Sequence, residues 1–140
     1  MNHDLKAPSL IPVLAVEQVE DALEFYKALG FSEVSSIPDE RGRIVHAHLR
    51  KEGNALFLGR LDVSPYPSHP RASMLASSTA GQRGAGVTLI LQVEDLATVY
   101  EFVRGRKLQV LAEPVDEYYG DRVFFFLDPF GYEWKISQPI

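Results

Sequence analysis

The sequence predicts an α+β fold made of two tandem βαβββ modules. Two observations lead to this prediction. A segment that begins at Val16 recurs at Val93, 77 residues later, and each copy follows an apolar, strand-like run. After each copy the hydrophobic period changes from helical to alternating, which is typical of strands. The modules span residues 8–61 and 86–138, joined by a linker over 62–85 within a single domain of residues 1–140.

The first module begins with a predicted strand over Leu10–Val16. Apolar residues at helical spacing then predict a helix of about three turns, and Gly30 lies where that helix should stop. Three further strands follow, the last two joined by a turn around Gly53. Their predicted ranges are Phe31–Ile37, Arg43–Arg50 and Ala55–Leu61.

The second module repeats this order from a strand over Val87–Val93. Its helix should stop near Gly105. The last two strands are joined by Asp128-Pro129-Phe130-Gly131, whose residues are those that a type I turn favours. The predicted ranges of its last three strands are Leu108–Ala112, Arg122–Leu127 and Tyr132–Gln138.

Composition excludes several classes of site and partner. The 140 residues include no cysteine, which excludes disulfides, thiolate metal sites and cysteine nucleophiles. The net charge is −5 and the basic residues are scattered, so we expect no nucleic-acid partner. The first residues lack a signal pattern, and no apolar run approaches the ~18 residues of a membrane span. We therefore expect a cytoplasmic protein with no membrane partner.

Strand alternation predicts which side chains share a sheet face. Closing the first hairpin at Glu52-Gly53 pairs His48 with Phe57 and His46 with Gly59. Closing the second at Pro129-Phe130 pairs Phe126 with Glu133 and Phe124 with Lys135, and leaves Val123, Phe125, Trp134 and Ile136 facing the helix. A shift of one residue in either register would exchange the two faces.

The segments EDALEFYKALGF and YGDRVFFFLDPFGYEWKI, within two βαβββ modules, resemble the vicinal oxygen chelate superfamily of glyoxalases, extradiol dioxygenases and bleomycin-resistance proteins. The resemblance covers nearly the whole chain outside the linker. It implies that the eight strands form one cup-shaped mixed sheet, with the helices on its outer face. The segment Tyr118-Tyr119-Gly120-Asp121-Arg122 also resembles a rim segment of the bleomycin-resistance branch, in which an aromatic residue stacks on a flat ligand.

The resemblance also implies four metal-ligand positions, one on each of four inner strands. Here these positions hold Ile11, Phe57, Thr88 and Lys135. Two of these side chains cannot bind a metal, Thr88 is a poor ligand, and a protonated lysine would repel a cation. We therefore expect no metal and no cofactor.

The predicted cup lining is mostly apolar and aromatic with a few polar groups, as in small-molecule pockets. The candidate ligand-binding residues are Ile11, Phe57, Thr88, Ile90, Gln92, Tyr119, Phe124 and Phe126. The candidate catalytic residues are His46, His48, Glu133 and Lys135.

Three functions agree with this set of residues. The first is a metal-free binding protein of the bleomycin-resistance type, which sequesters a planar hydrophobic or aromatic compound and so suggests a role in antibiotic resistance. The second is a lyase or dioxygenase with a displaced metal site made of His46, His48 and Glu133, completed by a residue such as His69 or by water. The third is a metal-free enzyme with a histidine base and Lys135 stabilising an oxyanion. The resemblance also implies a homodimer, since single cups in this family are shallow and a second chain commonly completes them.

Overall fold

The computed structural model describes residues 6–62 and 84–140. They belong to two compact units, the first carrying residues 6–62 and the second residues 84–140. Most of the predicted linker, residues 63–83, lies outside the described residues. The assignment of residues 1–140 to a single domain stays a prediction.

Each unit contains one βαβββ module, as the sequence predicts. The first consists of β1 (Val13–Val16), α1 (Val19–Ala28), β2 (Ser32–Pro38), β3 (Ile44–Lys51) and β4 (Asn54–Arg60). The second consists of β5 (Thr88–Gln92), α2 (Leu96–Gly105), β6 (Gln109–Asp116), β7 (Asp121–Leu127) and β8 (Glu133–Pro139). Neither described helix is long and apolar enough to cross a membrane.

The eight strands form two four-stranded sheets, with the orders β1-β4-β3-β2 and β5-β8-β7-β6. The pairs β1–β4 and β5–β8 are parallel, and the other pairs are antiparallel. Both sheets are therefore mixed, because the helix carries the chain to the far edge of the sheet and the two antiparallel connections that follow bring the last strand beside the first, running in the same direction.

One face of each sheet is buried against the helix of its own unit. In the first unit α1 contacts β3 and β4. Its buried face consists of Val19, Ala22, Leu23, Phe25 and Tyr26, and the sheet contributes Val45, Ala47, Leu49, Leu56 and Leu58. In the second unit α2 contacts β7 and β8 in the same way.

Both helices end in the same hydrogen-bonded motif, which contains a residue with positive φ. After α1, the N–H groups of Gly30 and Phe31 donate to the carbonyls of Lys27 and Tyr26, and Gly30 has φ +112°. After α2, the residue with positive φ is Lys107, at +57°. The helix stops at Gly105, as predicted, and the left-handed position falls two residues later.

Replacing Lys107 by glycine should raise the free energy of unfolding by about 0.5–1 kcal/mol. A left-handed backbone costs a residue with a Cβ roughly 1–2 kcal/mol, and the greater entropy of unfolded glycine offsets part of that gain. Urea unfolding measures the change. Lys107→Ala, which removes the long side chain but keeps the Cβ, should bring no such gain. A glycine variant less stable than the wild type would contradict this account of the helix end.

The two β-hairpins differ in loop length, and this difference decides which residues face the helix. The first has a two-residue loop, Glu52-Gly53, with Lys51 opposite Asn54, as predicted. In the second, the N–H of Asp128 donates to the carbonyl of Tyr132 over 2.9 Å, which leaves a three-residue loop. Leu127 therefore pairs with Glu133, and Phe125 pairs with Lys135. The predicted pairing of this hairpin was wrong by one residue.

Candidate functional site

We call the sheet face away from a unit's own helix its distal face. The first distal face carries His46, His48 and Phe57, because the two histidines alternate with the helix-facing residues of β3 and His48 lies opposite Phe57. The second distal face carries Thr88, Ile90, Phe125, Glu133 and Lys135, which lie opposite one another on β5, β8 and β7.

The first distal face has a cluster of three aromatic rings. The ring of Phe57 lies 5.1 Å from the ring of His46, edge to face, and 4.7 Å from the ring of His48. Val13 of β1 is paired with Phe57 on its other side. All three rings are half-buried, so each presents part of its surface. The arrangement can hold a flat apolar group.

Burial, with a smaller effect of the neighbouring His48, lowers the pKa of His46. Because the ring is partly buried, its charged form would lack part of its hydration and would lie beside a second imidazole. Within the described ranges, His46 Nδ1 and His48 Nε2 are buried and have no hydrogen-bond partner. His46 is therefore a neutral aromatic ring at pH 7.

The lowered pKa of His46 makes stability depend on pH. The folded state takes up a proton at this group less readily than the unfolded state, whose pKa is about 6.5. The contribution of neutral His46 to the free energy of unfolding is therefore complete above pH 6.5. It is lost as pH falls from 6.5 through the folded-state pKa. We expect urea unfolding between pH 7.5 and 5.5 to show this loss, and His46→Gln to reduce it. An identical pH slope in the variant would contradict the assignment.

The hypothesis of a metal site made of His46, His48 and Glu133 draws on residues of both units and stays a prediction. The histidines lie in the first unit and Glu133 lies in the second. Across residues 6–62 and 84–140, no group of three or more His, Asp or Glu side chains is placed to hold a metal ion. His69 lies outside the described residues.

The second distal face combines polar and apolar side chains in two rows across the sheet. In one row Thr88 lies opposite Glu133, and its hydroxyl donates to Glu133 Oε2 over 2.8 Å. In the other row Ile90, Lys135 and Phe125 lie side by side. Glu133 and Lys135 thus have separate partners, although both lie on the face where the sequence places them.

Lys135 lies beside two aromatic rings. Its Nζ donates to the hydroxyl of Tyr119 over 3.0 Å, and lies 5.2 Å from the ring centroid of Tyr119 and 6.0 Å from that of Phe125. The bond to Tyr119 is the main cause of a raised pKa of Lys135, with smaller contributions from the charges of Asp121 and Glu117. Lys135 is therefore an ammonium donor, and not a base, at neutral pH.

Phe124 and Phe126 lie on the opposite face, so their predicted place in the pocket lining was wrong. Both are fully buried, Phe124 packs edge to face on Tyr100 of α2 at 5.2 Å, and the two phenylalanine rings stack at 6.0 Å. Phe125, predicted to face the helix, takes the distal position instead. One signal in the sequence could have identified it: a type I turn followed by glycine commonly makes a three-residue loop, with the glycine at positive φ. Gly131 has φ +95°.

The remaining predicted residues lie at the margins of the distal faces. Ile11 is half-buried and precedes β1, which begins at Val13 and not at the predicted Leu10. Gln92 is exposed at the end of β5, opposite Ser137. A cleft of about 640 Å³ next to Thr88 and Glu133 is also lined by Leu127, Phe130 and the glycine-rich residues 84–86.

Comparisons with known proteins agree with this fold. Residues 10–136 match the profile of the Glyoxalase/Bleomycin resistance protein/Dioxygenase superfamily. An uncharacterized protein of Mycobacterium bovis is 29% identical over 134 residues, which are 95% of this chain and 84% of that protein.

Two solved structures are similar at low sequence identity. TioX from Micromonospora sp. ML1 has a TM-score of 0.71 at 20% identity, over 96% of this chain and all of that one. TnmS3 from Streptomyces sp. CB03234, described as an antibiotic binding protein, has a TM-score of 0.66 at 22% identity, over 99% of this chain and 100% of its own. At these identities the similarity shows the fold.

Proposed function

Since this chain belongs to the glyoxalase/bleomycin resistance protein/dioxygenase superfamily, we propose that it is a metal-free protein that binds a planar hydrophobic or aromatic compound. The aromatic distal faces are the observation that carries this proposal. The structural similarity to TnmS3, an antibiotic binding protein, supports it and suggests a role in antibiotic resistance.

Both distal faces expose apolar surface beside aromatic rings. Ile90 is 60% exposed and Tyr119 is 49% exposed on the second, and Ile37, paired with His46, is 51% exposed on the first. Covering such surface gains about 25 cal/mol per Å². A flat ring that covers Ile90 and Phe125 would gain this energy together with ring contacts.

The proposed site is metal-free because of the side chains at the family's ligand positions. Phe57 and Lys135 occupy two of them, and neither donates an electron pair to a cation while the lysine is protonated. We expect elemental analysis of protein purified without chelator to find no stoichiometric Zn, Ni, Mn or Fe. One equivalent of metal, lost on His46→Ala, would instead support a lyase or dioxygenase with a displaced site.

Equilibrium dialysis with 2-acetylnaphthalene, a planar aromatic probe, tests the binding function. Replacing Phe57 or Phe125 by alanine removes a ring from a distal face, and we expect a loss of ~1–3 kcal/mol, or roughly 5- to 150-fold in affinity. Phe102→Ala, on α2, removes a half-buried ring from elsewhere and should leave affinity unchanged. The proposal fails if the wild type does not bind, or if both distal-face variants bind as well as the wild type.

A homodimer is also part of the proposal. The exposed apolar residues of the distal faces and of the edge strands, such as Val34 of β2 at 53% exposure, provide surface that a second copy could cover. Light scattering at tens of micromolar protein should give twice the chain mass of 15.7 kDa. A monomer at that concentration would contradict it.

A further inference from the structure

On the basis of the proposed function, we infer that the compound bound at the second distal face carries an uncharged oxygen acceptor, such as the carbonyl of an aromatic ketone or quinone, and that Lys135 binds this oxygen. The inference depends on the position of Lys135 among apolar side chains, on its unused hydrogen-bond donors, and on the charges around it.

The position comes from the strand register. Lys135 lies between Ile90 on β5 and Phe125 on β7, and all three side chains point to the same face. Ile90 is largely exposed and Phe125 is half-buried. A flat ring system lying on these two apolar side chains would place a substituent beside the Lys135 ammonium group.

The ammonium group of Lys135 has unused hydrogen-bond donors. It carries three N–H bonds, and Tyr119 accepts one of them. In the part of the chain that the structure describes, no carboxylate forms an ion pair with Lys135. Two N–H bonds are therefore available to an acceptor on the ligand. The hydroxyl of Tyr119 lies in the same place and can donate its own proton.

The surrounding charges favour an uncharged acceptor over an anion. Glu133 lies two residues before Lys135 on the same face, and Asp121 and Glu117 are close enough to raise its pKa. A carboxylate on the ligand would meet one ammonium group and three carboxylates. A carbonyl oxygen accepts the same hydrogen bonds without this repulsion, and a hydrogen bond from a charged donor is about twice as strong as one between neutral groups.

Three probes of similar shape separate these cases. We expect 2-acetylnaphthalene to bind at least about tenfold more tightly than 2-ethylnaphthalene, which lacks an acceptor, and more tightly than 2-naphthoate, which is an anion. Lys135→Met, which keeps the length of the side chain, should remove the advantage of the ketone and leave the hydrocarbon's affinity unchanged. Lys27→Met, which removes a lysine from α1, is the matched control and should preserve the ketone's advantage. The carbonyl stretch of the bound ketone should shift to lower frequency in the wild type and not in Lys135→Met.

Each contrary result has a distinct meaning. If the ketone and the hydrocarbon bind equally to the wild type, or if Lys135→Met weakens both alike, the inference fails and the proposed binding function stands. Tighter binding of 2-naphthoate, falling steeply with salt, would show an anion site and also overturn the inference. If none of the probes binds, the proposed function fails and the inference fails with it.

Discussion

Replacing Phe124 by alanine should lower the free energy of unfolding by about 3–5 kcal/mol, the range for large-to-small changes in a core. The ring is fully buried, contacts Tyr100 of α2 and stacks on Phe126. Its loss would leave a cavity between sheet and helix. Urea unfolding followed by circular dichroism measures the change.

The neighbouring Phe125→Ala is the matched control. It removes the same side chain one position along β7, from the distal face, and should lower stability by only about 1 kcal/mol because the ring is half-buried. The effects on ligand affinity should be reversed: Phe125→Ala should weaken binding more than Phe124→Ala. A stable Phe124→Ala that loses the ligand, together with an unstable Phe125→Ala, would mean that the register of the second hairpin is the one predicted from the sequence.

A second large effect is expected at Asp128, whose carboxylate holds the loop of the second hairpin together. It is buried, and it accepts hydrogen bonds from the N–H groups of Phe130 and Tyr132 at 2.9 Å and from Trp134 Nε1 at 2.8 Å. Asp128→Ala leaves these donors without their acceptor, and the buried indole N–H cannot turn to water. We expect a loss of about 3 kcal/mol in unfolding free energy.

Asp128→Asn distinguishes the contribution of the loop hydrogen bonds from that of the hydrogen bond to the indole. Asparagine can still accept from the two backbone N–H groups through Oδ1, but it presents an amide NH₂ group to Trp134. We expect about half the loss of the alanine variant, with a changed near-ultraviolet circular dichroism signal of Trp134. Equal stability of wild type and Asp128→Ala would show that the carboxylate does not organise the loop.

The parts of the fold that the sequence predicts are those set by local pattern. The 77-residue repeat and the periodicity of Val19 to Tyr26 determine a strand and helix order that each unit reproduces. The register of the first hairpin was also predictable. Its apolar residues alternate cleanly on both strands, so only a two-residue loop places Val45, Ala47, Leu56 and Leu58 on the helix.

The register of the second hairpin could not be predicted from the alternation of apolar residues. Phe124, Phe125 and Phe126 are consecutive, so either register places phenylalanine on both faces and hydrophobicity does not choose between them. The backbone of Gly131, at φ +95°, decides the register, and a glycine directly after a type I turn is the one signal in the sequence for the three-residue loop. Similarly, the predicted end of α2 at Gly105 is confirmed, but residue preference gave no sign that Lys107, a residue with a Cβ, would adopt the left-handed conformation.

Chemical-shift mapping of isotope-labelled protein with 2-acetylnaphthalene tests the central claim, that a planar ligand binds on the distal faces, most directly. We expect saturable shifts at Phe57, Phe125, Tyr119 and Ile90, and little change at the helix-facing Trp134. Saturable shifts centred on Trp134, with the distal-face signals unchanged, would contradict the account.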